Sequence, residues 1–147
     1  MPKIDLELRK KITTEIPEIL KCFQCGTCVS SCPAEYYGKG YSPRRKILAA
    51  SYGDPALFTD ELWKCLTCHA CNERCPQEVN PYDVLVKLKN YALKQGLADK
   101  AKTQAEQMVK KTGRVLRVTK RTQQEREKLG LPPLSPIEEL QELVNDE

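Results

Sequence analysis

At 147 residues, with 30% charged and only 6% aromatic side chains, the chain has room for one compact domain and a tail, and its core is small for its length. The net charge of +4 is mild, and bases and acids mix through the cysteine-bearing part of the chain. No stretch approaches the roughly 18 apolar residues of a membrane span, so direct membrane insertion is excluded and any attachment would go through a partner.

From the N-terminus, Leu8, Ile12 and Ile16 stand four apart behind Asp5, which predicts a helix with Asp5 as N-cap. Pro17 ends it, because the residue before a proline avoids the helical region, and a short turn leads into Cys22. Next comes Lys21-Cys22-Phe23-Gln24-Cys25-Gly26-Thr27-Cys28-Val29-Ser30-Ser31-Cys32-Pro33. After Ser42-Pro43, which reads as N-cap and first helical residue, a helix from Arg44 to Ser51 closes near Gly53. Asp54-Pro55 repeats that start signal, and Thr59-Asp60-Glu61 offers an N-cap with two acids in the first turn before Leu62, Trp63 and Cys65. The second run is Lys64-Cys65-Leu66-Thr67-Cys68-His69-Ala70-Cys71-Asn72-Glu73-Arg74-Cys75-Pro76. Asn80-Pro81 then opens a helix in which Val84, Leu85, Leu88, Tyr91 and Ala92 keep helical spacing up to Gly96.

The two runs share the pattern C-x2-C-x2-C-x3-C-P and use all 8 cysteines. Two residues between cysteines fold a loop tightly enough for three thiolates to converge, and the proline after the fourth turns the backbone away. In proteins with two such runs the fourth cysteine of each ligates the other cluster. The pattern therefore assigns Cys22, Cys25, Cys28 and Cys75 to one [4Fe-4S] cluster, and Cys65, Cys68, Cys71 and Cys32 to a second. Structural zinc usually takes paired C-x2-C knuckles across a longer spacer, which fits poorly. A disulfide framework needs an oxidising compartment, and the N-terminus, with Lys3, Asp5 and Glu7, shows no secretory signal. A reducing cytoplasm is the expected address.

The repeat extends beyond the cysteines. Offset by 43 positions, Glu18-Ile19-Leu20-Lys21 aligns with Glu61-Leu62-Trp63-Lys64, and Glu35 with Glu78. Leu20 and Trp63, which precede the equivalent first cysteines, are expected to pack in the core beside a cluster. Successive helix starts without strand-like alternation predict an all-α fold, an α-helical ferredoxin with two cysteine-rich cluster-binding loops, over residues 1–96. Because the core is small, cluster ligation must supply much of the stability, and the metal-free chain is expected to be poorly folded.

Residues 97–147 read as a charged helical extension and a docking arm. Its basic pattern breaks at Gly113 and ends at Gly130, Leu131-Pro132-Pro133-Leu134 reads as a linker, and Ser135-Pro136-Ile137-Glu138 as a capping box opening an acidic helix. It holds too few large apolar residues for a second domain. Arg114, Arg117 and Arg121 would share one helix face, yet no aromatic side chains interleave with them and no nucleic-acid motif accompanies them, so no nucleic-acid partner is expected.

Two clusters without a phosphate loop, a nucleotide fingerprint or an acid–base pair point to electron transfer, with no catalytic residue in this chain. Gly26 lets the backbone approach the first cluster, while Ala70 stands elsewhere in the second loop, so the two potentials need not be equal. His69, the lone histidine, lies between two ligands, and because every ligand position is filled it is expected to tune the potential as a neighbour.

Lys21 to Cys28, Cys32-Pro33, Asp60-Glu61-Leu62-Trp63-Lys64-Cys65 and Cys75-Pro76 together resemble the C subunit of heterodisulfide reductase, from about Glu18 to Gly96. Thr112-Gly113-Arg114 and Glu127 to Pro133 carry a fainter likeness. The resemblance implies an electron-transfer subunit with two [4Fe-4S] clusters. Its partners would be a flavin- and iron-sulfur-containing A subunit and a cysteine-rich B subunit that reduces the coenzyme M–coenzyme B heterodisulfide in methanogenesis. No double-cysteine motif of the kind implied for that B subunit is present. Paralogues in sulfur metabolism act on other substrates, and the module is also similar to iron-sulfur subunits of other dehydrogenases. A free ferredoxin-type carrier is the alternative, and the long tail argues against it.

Overall fold

Apolar side chains spaced for helices, and prolines placed to start them, leave a chain of helices joined by tight turns. The computed structural model describes residues 3–38 and 40–145, and among them there is no strand. The chain divides into two compact units, Met1–Ala98 and Asp99–Glu147.

In the first unit, α1 (Leu6–Glu15) starts where the Asp5 carboxylate accepts the Leu8 N–H at 2.9 Å. Ile12 on its inner face and Ile16 just beyond its end are fully buried. The 3₁₀ turn Pro17–Lys21 then brings the chain to Cys22, and the short helices α2 (Thr27–Ser30) and α3 (Pro33–Tyr37) follow the first cysteines. Helix α4 (Pro43–Tyr52) packs on α1 and ends at Gly53, whose φ of 68° closes the helix. A side chain there would run into the backbone of Asp5 and Arg9, so this close crossing requires glycine. The 3₁₀ turns Pro55–Leu57 and Asp60–Lys64 lead to Cys65, and α5 (Ala70–Glu73) lies in the second cysteine loop. Helix α6 (Pro81–Lys94) buries Val84, Leu85, Leu88, Tyr91 and Ala92 and packs against α4. Burying such side chains contributes about 1.5–3 kcal/mol each.

Several start signals work differently from their sequence reading. Ser42 and Thr59 hold the N-cap positions without a side-chain capping bond, and the Thr59 hydroxyl instead accepts from Lys46 Nζ at 3.4 Å. Asn80 sits at φ 52°, not in the extended conformation of a capping side chain. The cap for α6 comes from Asn72 in the second cysteine loop: its Oδ1 accepts the Tyr82 N–H at 2.7 Å while its Nδ2 donates to Asp83 at 2.9 Å. The expected burial of Leu20 fails, since it is 58% exposed, and its neighbour Ile19 is in the core. Trp63 is half-buried against the core and the adjacent Leu62 is fully buried. The 3₁₀ turn before each first cysteine turns the residue three positions before that cysteine inward.

The second unit contains α7 (Lys100–Thr112), α8 (Lys120–Lys128) and α9 (Glu138–Asn145), with α7 packed on α9. None of its described side chains is fully buried. Thr119 caps α8 by accepting the Thr122 N–H. Gln123 clamps the proline linker in both directions, donating to the Leu134 carbonyl at 2.9 Å and accepting the Leu134 N–H at 3.1 Å. The last helix begins at Glu138, two residues beyond the start that the capping box suggested, and the Ile137 N–H just before it is bonded to the Thr112 carbonyl at 3.2 Å. Residues 114–119 are not helical. Arg114, Arg117 and Arg121 therefore do not share a helix face, and Arg114 instead donates to the Ser135 carbonyl at 2.8 Å. No helix among the described residues is long and apolar enough to cross a membrane.

Candidate metal centre

The internal repeat is structural as well as textual. The 3₁₀ turn Pro17–Lys21 and helix α2 recur 43 positions on as Asp60–Lys64 and α5. Between them, Gln24 and Thr67 have φ of 61° and 54°, and Gly26 and His69 have φ of 85° and 60°. Each second cysteine, Cys25 or Cys68, is thus flanked by two left-handed residues. Left-handed residues on both sides curl the backbone tightly around that cysteine. Backbone bonds repeat in step: Val29 and Ser30 N–H to the Gly26 carbonyl, Asn72 and Glu73 N–H to the His69 carbonyl. Gln24 and Thr67 carry no signal of a left-handed backbone in the sequence, whereas glycine and, more weakly, histidine are residue types that adopt it.

Helices α2 and α5 touch, and that contact brings the two loops together. Cys22, Cys25, Cys28 and Cys75 line one cavity, of about 300 Å³ with its open mouth. Cys65, Cys68, Cys71 and Cys32 line another, of about 310 Å³. Each takes three thiols from one loop and the fourth from the other. All eight cysteines are free thiols. Among the described residues, no three His, Cys, Asp or Glu side chains are placed to hold a single metal ion. Three thiols from one loop and a fourth from the other at each cavity suit a cluster better than the paired knuckles of structural zinc.

Chemistry at the sulfurs agrees. Burial, then the neighbouring thiols of Cys22, Cys71 and Cys25, push Cys28 up to about 12. Burial and Cys65 push Cys71 up to about 11, and burial also raises Cys32. Such thiols become thiolates when iron supplies positive charge. Exposed Cys25 is shifted down, chiefly by its hydrogen bond with the Thr27 hydroxyl at 3.3 Å. Gln24 Nε2 donates to Cys22 Sγ at 3.3 Å and the Val79 N–H to Cys75 Sγ at 3.4 Å. Fully buried Tyr41 bonds to Cys65, and burial keeps its hydroxyl protonated well above the usual range. The donor set fits two iron-sulfur groups.

Other residues reach the cavities from outside the cysteine runs. Pro43 of α4 lines the second cavity and Arg44 the first; Pro81 of α6 lines the first and Tyr82 the second. Two helix N-termini therefore lie between the sites, where their dipoles favour negative charge. His69 packs on Tyr82 with ring centroids 3.9 Å apart at the second cavity.

A profile of the 4Fe-4S dicluster domain matches residues 18–79. The iron-sulfur C subunit of the CoB–CoM heterodisulfide reductase of Methanopyrus kandleri is 34% identical over 142 residues, covering 88% of this chain and 72% of that protein. The chain belongs to the family of heterodisulfide reductase C subunits. The C subunit of the Ferredoxin/F420H2-dependent CoB–CoM heterodisulfide reductase of Methanosarcina acetivorans is 34% identical over 87% of this chain and 80% of its own length. The C subunit of the H2:CoB–CoM heterodisulfide,ferredoxin reductase of Methanothermobacter thermautotrophicus is 35% identical over 96% and 82%. As a C subunit with an iron-sulfur dicluster domain and an all-helical fold, the chain is an electron-transfer component of a larger assembly. A bound cubane supplies one-electron chemistry with little rearrangement. This chain's residues hold the sulfurs, aim amides and hydroxyls at them, and bury Cys28, Cys32 and Cys71.

Proposed function

We propose that the chain binds two [4Fe-4S] clusters with crossed ligation, one on Cys22, Cys25, Cys28 and Cys75 and one on Cys65, Cys68, Cys71 and Cys32. Through them it passes electrons from a flavin- and iron-sulfur-containing A-type subunit to a cysteine-rich B-type subunit that reduces the coenzyme M–coenzyme B heterodisulfide or a related disulfide. The observation that carries this reading is the exchange of Cys32 and Cys75 between the two thiol-lined cavities. Residues 97–147 serve as the docking arm. In its favour stands an open groove in the second unit, where Lys111, Arg114 and Arg117 border apolar Met108 and Leu134. The complex works in the cytoplasm.

Anaerobic reconstitution followed by iron and sulfide analysis tests the clusters: about eight of each per chain is expected, and about four or fewer rejects the pair. An anaerobic pull-down from the source cells tests the partners. A flavin subunit together with a double-cysteine subunit is the expected catch, whereas the chain alone with clusters intact would make it a free carrier. Deletion of residues 97–147 is expected to abolish the complex and leave both clusters bound; an unchanged complex would reject the docking role.

A further inference from the structure

We infer that Arg44, Gln24 and Thr27 make the cavity ringed by Cys22, Cys25, Cys28 and Cys75 the higher-potential site of the pair, so that an electron shared between the two comes to rest there. This rests on the two-cluster reading and gives the relay a direction.

Reduction adds one negative charge to a thiolate-held group, without any bond being made or broken. Whatever brings positive charge, hydrogen-bond donors or water closer to one site raises its potential. The backbone does not discriminate between the sites, because the left-handed positions recur in both loops and the N-termini of α4 and α6 are shared between the cavities. Side chains do. Exposed Arg44 lines the first cavity, and among the described residues no arginine, lysine or carboxylate lines the second, which has His69 instead. Gln24 and Thr27 meet the sulfurs of Cys22 and Cys25 at 3.3 Å each. Their repeat counterparts are Thr67 and Ala70, and an alanine has nothing to donate.

Gln24 is held there against resistance. Its Oε1 is buried and, among the described residues, has no hydrogen-bond partner. The N–H bond to sulfur is what that placement secures. The second site has donors of its own, the Tyr41 hydroxyl to Cys65 and the Ala34 and Glu35 amides to Cys32. Against these the first site has the Val79 amide on Cys75. Those neutral contacts offset one another in kind, which leaves Arg44 at the first cavity against the His69 ring at the second, and a guanidinium always carries its charge. Hydration acts in the same direction, since Cys75 is half-buried while its counterpart Cys32 is buried.

The test is an EPR-monitored redox titration of the anaerobically reconstituted full chain, with iron and sulfide measured on the same sample. A low iron count would fail the cluster reading itself and is seen before any potential is measured. With both sites loaded, Arg44→Gln is expected to lower the higher midpoint and leave the lower one in place. At a fixed potential the reduced-to-oxidised ratio of that site should drop on the order of tenfold, which is about 59 mV for a one-electron couple. Arg44→Lys should restore it. Thr27→Val, nearly isosteric, should move the same midpoint by less, and it decides the matter alone if Arg44→Gln loads poorly. A fall in the lower midpoint, or no movement in either variant, overturns the inference.

Discussion

Forty-three positions apart, the two cysteine loops turn through the same left-handed residues and make the same backbone hydrogen bonds, yet their surroundings differ. Around the first loop stand Gln24, Thr27 and Arg44; around the second, Tyr41, His69 and Tyr82. The approach segments differ too. Glu18, before the first loop, pairs at 2.7 Å with Lys87 on the surface, whereas its counterpart Glu61 pairs at 3.1 Å with buried Lys46. The lesson is that the repeat copied the part that binds sulfur, a matter of backbone conformation, and left the tuning and anchoring side chains free to diverge.

The largest effect should come from exchanging the fourth ligands. Cys32→Ser is expected to remove or convert the group at the second cavity and leave the EPR signal of the first, with Cys75→Ser doing the reverse. Iron counts and spectra of the two variants check this, and an assignment within each loop would give the opposite pairing.

Next comes anchoring. Glu61→Ala leaves the buried Lys46 ammonium with the Thr59 hydroxyl as its hydrogen-bond partner among the described residues. Anaerobic thermal unfolding should register a loss of about 2 kcal/mol, below the ~3–5 kcal/mol of a fully buried pair because Glu61 is partly exposed. A third contrast lies in the left-handed positions. Gly26→Ala meets no atom within 4 Å but is strained at φ 85°, and should cost about 1 kcal/mol. His69→Gly relieves similar strain while losing the Tyr82 ring contact, so denaturant unfolding should show a smaller net change.

The smallest effect is at Glu18. A hydrogen bond from the Lys87 ammonium, with help from backbone hydrogen bonding, holds its carboxyl below the ordinary 4.5. A carboxyl lowered on folding stabilises the protein above the unfolded value, and that contribution disappears as pH falls through the folded one. Lys87→Met should therefore lower stability by no more than about 0.5 kcal/mol at neutral pH, and the gap to the parent should close in acid.

The class of fold and the chemistry of the site were legible in the sequence because both are local. The helix break at Pro17, the helix starts at Pro43 and Pro81 and the stops near Gly53 and Gly96 follow from the dihedral limits of single residues. The cysteine spacing that singles out eight thiols is equally short in range. What depends on contact between distant segments was not legible. Ile19 rather than Leu20 enters the core because a 3₁₀ turn sets the face. Asn72 caps a helix that starts nine residues later, and the arginines of residues 114–121 part company where the helix breaks. Only the tertiary structure decided that Tyr41, Arg44 and Tyr82 line the thiol cavities, because a cavity wall is assembled from whichever helix ends the packing of α4 and α6 brings to it.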